Sequence, residues 1–239
     1  MIRKIKALGL ALVAIAALSA MGASAAQAGS LDIGAQPAVL TGTSESVHKL
    51  SFTSTGGSVF TTSCPIGSAS LEATTQGQTG VTDITATATY GPNCTAFGLA
   101  AQVVMHGCKY RLTGEGQPAF TALVDITGCT PGKEITIKTA LCTLDIPEQK
   151  NLSHVFAKNI NPTPPNDKEV TLESTVTNIE LTQTGAGCPD GNAHVSKTAS
   201  FVGNTIIKAF KHAGTKQVTK HEHQYTEALC GEQVTLLAT

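Results

Sequence analysis

The chain has 239 residues, 16 Lys and Arg against 17 Asp and Glu, 4% aromatic residues and no tryptophan. A near-neutral balance without a basic cluster argues against nucleic acid as a partner. Seven cysteines point to an oxidising compartment, and their odd number leaves at least one outside the intramolecular disulfides.

The first stretch reads as an export leader over residues 1–28. Arg3, Lys4 and Lys6 precede an apolar run from Ala7 to Ala20, and Ala23-Ser24-Ala25 and Ala26-Gln27-Ala28 offer cleavage sites, the second near Ala28. The spacing predicts a helix over the apolar run. That run is shorter than the ~20 residues a membrane-spanning helix needs, and no later stretch is longer. The expectation is a secreted protein with no transmembrane anchor. Cleavage would remove three basic residues and no acidic one, so the mature balance is 13 − 17 = −4, an ordinary surface charge.

Beyond the leader the dominant pattern has period two, the mark of half-buried strands. Between Val81 and Tyr90, Ile84, Ala86, Ala88 and Tyr90 alternate with threonines. Cys108, Tyr110 and Leu112 alternate with Lys109 and Arg111, and Phe120, Ala122, Val124 and Ile126 share one face of the next run. The run before Cys108 puts Ala101, Val103 and Met105 inward. The parity therefore flips at Gly107, which calls for a bulge or tight bend there. Ile135 and Ile137 follow the turn at Thr130–Lys133, and Cys142, Leu144 and Ile146 end at Pro147.

No stretch of the mature chain has helical period. The predicted fold is all-β, an antiparallel β-sandwich stapled by disulfides. Lys158–Glu169, with three prolines, reads as an exposed connection. The chain divides on this reading into the leader and two β subdomains, 29–147 and 148–239. Cys64-Pro65-Ile66-Gly67 and Cys188-Pro189-Asp190-Gly191 share a pattern that would fit a repeated unit.

The cysteines are the first candidate site residues: Cys64, Cys94, Cys108, Cys142, Cys188 and Cys230 as disulfide partners, with Cys129, at a turn, as the free thiol. Hairpin counting places Cys108 opposite about Val124 and so sets it apart from Cys129. The expected bonds are Cys64–Cys94 and Cys188–Cys230, with a third drawn from Cys108, Cys129 and Cys142.

Signatures of catalysis are missing: no nucleophile elbow, phosphate loop, dinucleotide fingerprint or zinc motif. His221 and His223 would share one face of a strand and form a candidate metal pair, with His212 or Glu227 as a third ligand. The surrounding lysines fit a solvated edge as well. Asp125, Asp145, Glu173 and Glu180 fall at outward positions. No cofactor is expected.

Tyr90 to Cys94, Gly107-Cys108-Lys109-Tyr110, Cys142 to Gln149 and Thr184 to Pro189 resemble a loose group of cysteine-punctuated, uncharacterised secreted proteins of actinobacteria. The resemblance spans roughly Cys64 to Phe210 and implies a secreted, β-rich fold; it carries no functional residues. The expected function is that of a non-catalytic extracellular or cell-envelope binding module, its ligand or protein partner undefined. Two alternatives stay open: a secreted hydrolase with a loop-assembled acidic site, and a metal- or redox-responsive envelope protein.

Overall fold

Alternation of small apolar residues with threonine, serine and charged side chains builds strands along almost the whole chain. In Asp83–Tyr90, Ile84, Ala86 and Ala88 are buried, while Asp83, Thr85, Thr87 and Thr89 are exposed. The structure, a computed structural model, describes residues 30–75, 80–116, 120–160, 168–220, 223–234 and 236–238. The leader expected over 1–28 lies outside the described residues, as does most of the connection expected over Lys158–Glu169.

In chain order the strands are β1 (Leu31–Ile33), β2 (Ala38–Ser44), β3 (His48–Thr53), β4 (Val59–Cys64), β5 (Ala69–Thr75) and β6 (Gly80–Val81). There follow β7 (Asp83–Tyr90), β8 (Cys94–Ala96), β9 (Leu99–Val104), β10 (Lys109–Gly116), β11 (Thr121–Thr127) and β12 (Ile135–Lys138). The last are β13 (Thr143–Ile146), β14 (Gln149–Asn159), β15 (Glu169–Thr184), β16 (His194–Lys220), β17 (His223–Val234) and β18 (Leu236–Ala238).

The pairings turn this list into a simple object. Six pairs of strands, β2–β3, β4–β5, β7–β8, β9–β10, β11–β12 and β13–β14, each continue one another across a short break, and β15 and β16 are single long strands. These make eight staves. Each stave pairs antiparallel with the next through both of its halves: β2 with β5 and β3 with β4, then β5 with β7 and β4 with β8. The pattern repeats through β10, β11 and β14 on one level and β9, β12 and β13 on the other. β14 and β13 both meet β15, β15 pairs with β16, and β16 returns to β2 and β3. The antiparallel sandwich read from the sequence is present, and its layers are joined along both edges into an up-and-down barrel. Closure leaves no ladder edge within the ring.

The segments 29–147 and 148–239 share this one ring. The boundary falls between β13 and β14, two halves of a single stave. Pro147 interrupts the ladder there, but the chain continues in the same direction.

Inward positions are apolar: Leu50, Ala73, Ala86, Leu112, Val124, Ile137, Leu144, Val155, Leu172 and Ala209 are all buried in one continuous core. Outward positions are mostly polar, with Val59, Phe156, Val195 and Val202 among the exposed exceptions, and ion pairs such as Lys208–Glu169 (2.8 Å) and Lys197–Glu180 (3.2 Å) join neighbouring strands. This is the reverse of a membrane-spanning barrel, whose apolar side chains face out. No described helix is long and apolar enough to cross a membrane. The small sheet β18-β1-β6 covers one mouth of the ring: Leu31 meets Leu40, Ala73 and Ile84 there, and Asn159 bonds the Ala238 backbone at both N–H and C=O (2.8 and 3.1 Å).

The breaks lie at one level and form a waist. At Met105–Cys108, His106 and Gly107 take φ of 48° and 80°, and the Cys108 N–H donates to the Met105 carbonyl at 2.8 Å. This is the bend the parity flip required. Two disulfides tie neighbouring breaks, Cys64–Cys94 and Cys108–Cys129; the third, Cys142–Cys188, ties β13 to the β15–β16 loop.

Cys64–Cys94 is as expected, whereas two other expectations are corrected. Cys129 is bonded rather than free, and Cys188 joins Cys142 rather than Cys230, which is the free, exposed cysteine. The physical cause is register. Lys109 pairs with Thr127 and Leu112 with Val124, with a shift between Gly114 and Gly116, so Cys108 sits beside Cys129. The turn at Thr130–Lys133 is a break within a stave, not a hairpin, since β11 does not pair with β12.

Candidate functional site: a cavity in the barrel

The staves line a cavity of about 130 Å³, walled by Leu50, Ala88, Val103, Leu112, Ile137 and Val176 among others. Among the described residues no Asp, Glu, Lys or Arg side chain lines it. The polar residues along it are His48, Thr62, Ser70, Tyr90, Tyr110, Ser174 and Thr205.

His48 opens β3 just after the break at residues 45–47. The Asn204 carbonyl on β16 organises that break: it accepts from the Glu45 N–H at 2.9 Å and the Ser46 N–H at 3.4 Å. The Asn204 N–H in turn donates to Ser46 Oγ at 2.7 Å. His48 Nε2 lies 3.2 Å from the same carbonyl and 3.4 Å from Thr205 Oγ1. A carbonyl oxygen can only accept, so Nε2 carries the hydrogen and Nδ1 is left as an acceptor. Nδ1 is buried without a partner, and so is Thr62 Oγ1. In the β3–β4 ladder Thr62 pairs with Leu50 and His48 with Cys64, which puts the two side chains on the same wall.

The ring of His48 meets Phe201 edge-on at 5.3 Å and Tyr90 at 6.3 Å between centroids. It fits against β16 only because residue 203 is glycine. A Cβ there would lie well inside contact distance of His48 Cδ2 and 3.0 Å from Cγ and Nε2. An inward glycine in a strand marks a close approach of this kind.

Tyr90 and Tyr110 both line the cavity. Burial pushes both phenols up, Tyr110 further because Tyr90 stands beside it. Burial likewise holds the His48 imidazolium pKa below its ordinary value, the Asn204 carbonyl opposing in part. The site is an apolar chamber with a few scattered polar residues along its wall.

A stability consequence follows for His48. Above about pH 6.5 the residue is neutral in both folded and unfolded chains. As pH falls below that value the unfolded chain takes up a proton that the buried ring resists, so stability is lost in this window. The wild-type protein should lose more stability between about pH 7.5 and about pH 5.5 than His48→Gln, measured by urea unfolding. Equal losses would show that His48 titrates alike in both states.

The sequence-derived candidates lie elsewhere. His221 is outside the described residues, as is the side chain of His223, and among the described residues no cluster of three metal-ligating side chains occurs. Asp125 accepts the Asn151 N–H at 2.7 Å, Asp145 the Thr136 hydroxyl at 3.2 Å, and Glu180 pairs with Lys197. None of these acids, nor Glu173, lines the cavity. Tyr90 and Tyr110 were inward by parity in the sequence; His48, Thr62 and Gly203 carried only that same weak signal.

Fold and site together define an eight-stave up-and-down antiparallel barrel with an apolar internal chamber. Comparison of the chain with protein-family models, with curated proteins and with solved structures finds no match.

Proposed function

We propose that this is a secreted binding protein that holds one small, uncharged, largely apolar molecule inside its barrel. The observation that carries the reading is the chamber itself: about 130 Å³, apolar on nearly every side and free of charged side chains. Barrels of this strand number have interiors wide enough for packed side chains or one small ligand. A native core packed to ordinary density keeps few voids larger than a water molecule. Three disulfides are compatible with the extracellular setting, where such bonds persist. The absence of carboxylates from the lining favours binding over the hydrolase alternative.

Benzene is the simplest probe, because a dry apolar cavity of about 150 Å³ accommodates it. Ligand that binds only the folded state raises the melting midpoint. Benzene-saturated buffer should therefore raise the midpoint of the mature protein, and filling the chamber by Ala88→Leu should remove the effect. Ser174→Leu, on another stave, serves if the first variant does not fold. An unchanged wild-type midpoint would overturn the reading.

A further inference from the structure

A second void of about 40 Å³ lies on the cap side of the chamber, and strand alternation fixes its place. Leu71, Ala86, Leu112 and Leu172 line both spaces. On three staves the inward positions step from one void to the other. Along β7, Ala88 lines the chamber, Ala86 both spaces and Ile84 the second void alone. Ala69, Leu71 and Ala73 repeat the order on β5, and Ser174, Leu172 and Val170 on β15. Successive inward residues of a strand stand about 7 Å apart. The two voids are therefore stacked along the staves, and the second lies directly beneath the cap, where Leu31 of β1 lines it.

This stacking sets the shape of a ligand, and the lining sets its charge. Among the described residues no charged side chain lines either space, so an ionised group would be buried unpaired, which is prohibitive. Thr41 is the one polar residue along the second void among those described. A dry cavity of about 150 Å³ takes the six carbons of benzene. On that scale the chamber holds about six carbons and the second void one or two more. A compact ring can use only the first space. A chain one methylene wide can occupy both, because Ala86 is the small member of the shared level, among three leucines.

We propose that the occupant is an unbranched aliphatic chain of about six to eight carbons, lying along the staves from the chamber past Ala86 into the space beneath the cap. The proposal rests on the binding reading above and adds the length and shape of the ligand. Affinities of the mature protein for n-pentane, n-hexane, n-heptane and benzene, taken from midpoint shifts at known dissolved concentrations, test it. From n-pentane to n-heptane the affinity should rise about fourfold per methylene, the worth of burying one CH₂. Ala73 lines the second void and not the chamber. Ala73→Val should therefore weaken n-heptane about tenfold, most of the worth of two methylenes, and leave benzene at its wild-type affinity. Ala157→Val, on another stave, serves if the first variant does not fold; if neither folds, the wild-type series decides, and a flat series overturns the proposal. If benzene binds and n-heptane loses nothing in the variant, the elongated site is wrong while the chamber stands. Equal losses for benzene and n-heptane would also overturn it, since a ring confined to the chamber should not sense position 73. If no hydrocarbon binds, both readings fall.

Discussion

Gly203→Val should abolish ligand uptake and lower stability by about 1–3 kcal/mol, the usual range for overpacking a filled interior. The β16 backbone passes so close to His48 that even a methyl at position 203 would collide with the imidazole. The ring has little room to retreat, since Phe201 and Tyr90 stand edge-on to it. Displacing it breaks the bond to the Asn204 carbonyl, the same carbonyl that holds the Glu45 and Ser46 N–H groups at the stave break. Benzene-induced stabilisation and urea unfolding read the two effects separately. Gly56→Ala is the control: its Cβ would meet nothing nearer than the Ser54 hydroxyl at 3.8 Å, so both readouts should stay near wild type. A Gly203→Val protein that keeps benzene binding would place the ligand away from His48.

The second large effect concerns the bond from Cys142 to Cys188. It closes the longest loop of the three, 46 residues against 30 for Cys64–Cys94 and 21 for Cys108–Cys129. In the chain-entropy account this corresponds to about 4 kcal/mol, a few tenths more than either of the others. Cys142→Ala/Cys188→Ala should therefore be the most damaging of the three paired removals in chemical denaturation. It also unties β13 from the β15–β16 loop, the place where Leu141 packs against Gly185 and Gly187 with no room for a side chain on either glycine. In the unreduced wild-type protein, alkylation should label Cys230 alone. Partial desolvation and the neighbouring Glu72 push that exposed thiol up, so labelling should be slow at neutral pH. A second labelled cysteine, or a larger loss from removing Cys108–Cys129, would contradict the pairing or the ranking.

Local period was enough to find the staves. The alternation in Phe120–Ile126 and Cys108–Leu112 matched buried and exposed faces, and the parity flip at Gly107 located a waist bend before any coordinate. What period could not supply was which breaks are turns. Thr130–Lys133 has the composition of a hairpin, yet the chain runs on through it, because β12 finds its partners in β9 and β13 rather than in β11. That choice is made by ring closure, a long-range property. The Cys108 register failed for a different reason: the β10–β11 hairpin exists, but its centre was counted too early in the chain, so Cys108 was set opposite Val124, whose true partner is Leu112. The site was hidden for a related reason. His48, Tyr90, Tyr110 and Gly203 stand on four staves, and only closure brings them to one level.

A ring of antiparallel staves has no first member, and here the seam is already sewn. β1 and β18 pair residue for residue, Leu31 with Ala238 and Ile33 with Leu236, so the first and last strands lie side by side over one mouth. The order in which the staves are synthesised is thus a convention of the polypeptide rather than a property of the barrel. Bridging β1 to β18 and opening the chain at the solvent-exposed Gly56-Gly57 turn, at the other mouth, would leave every stave its neighbours.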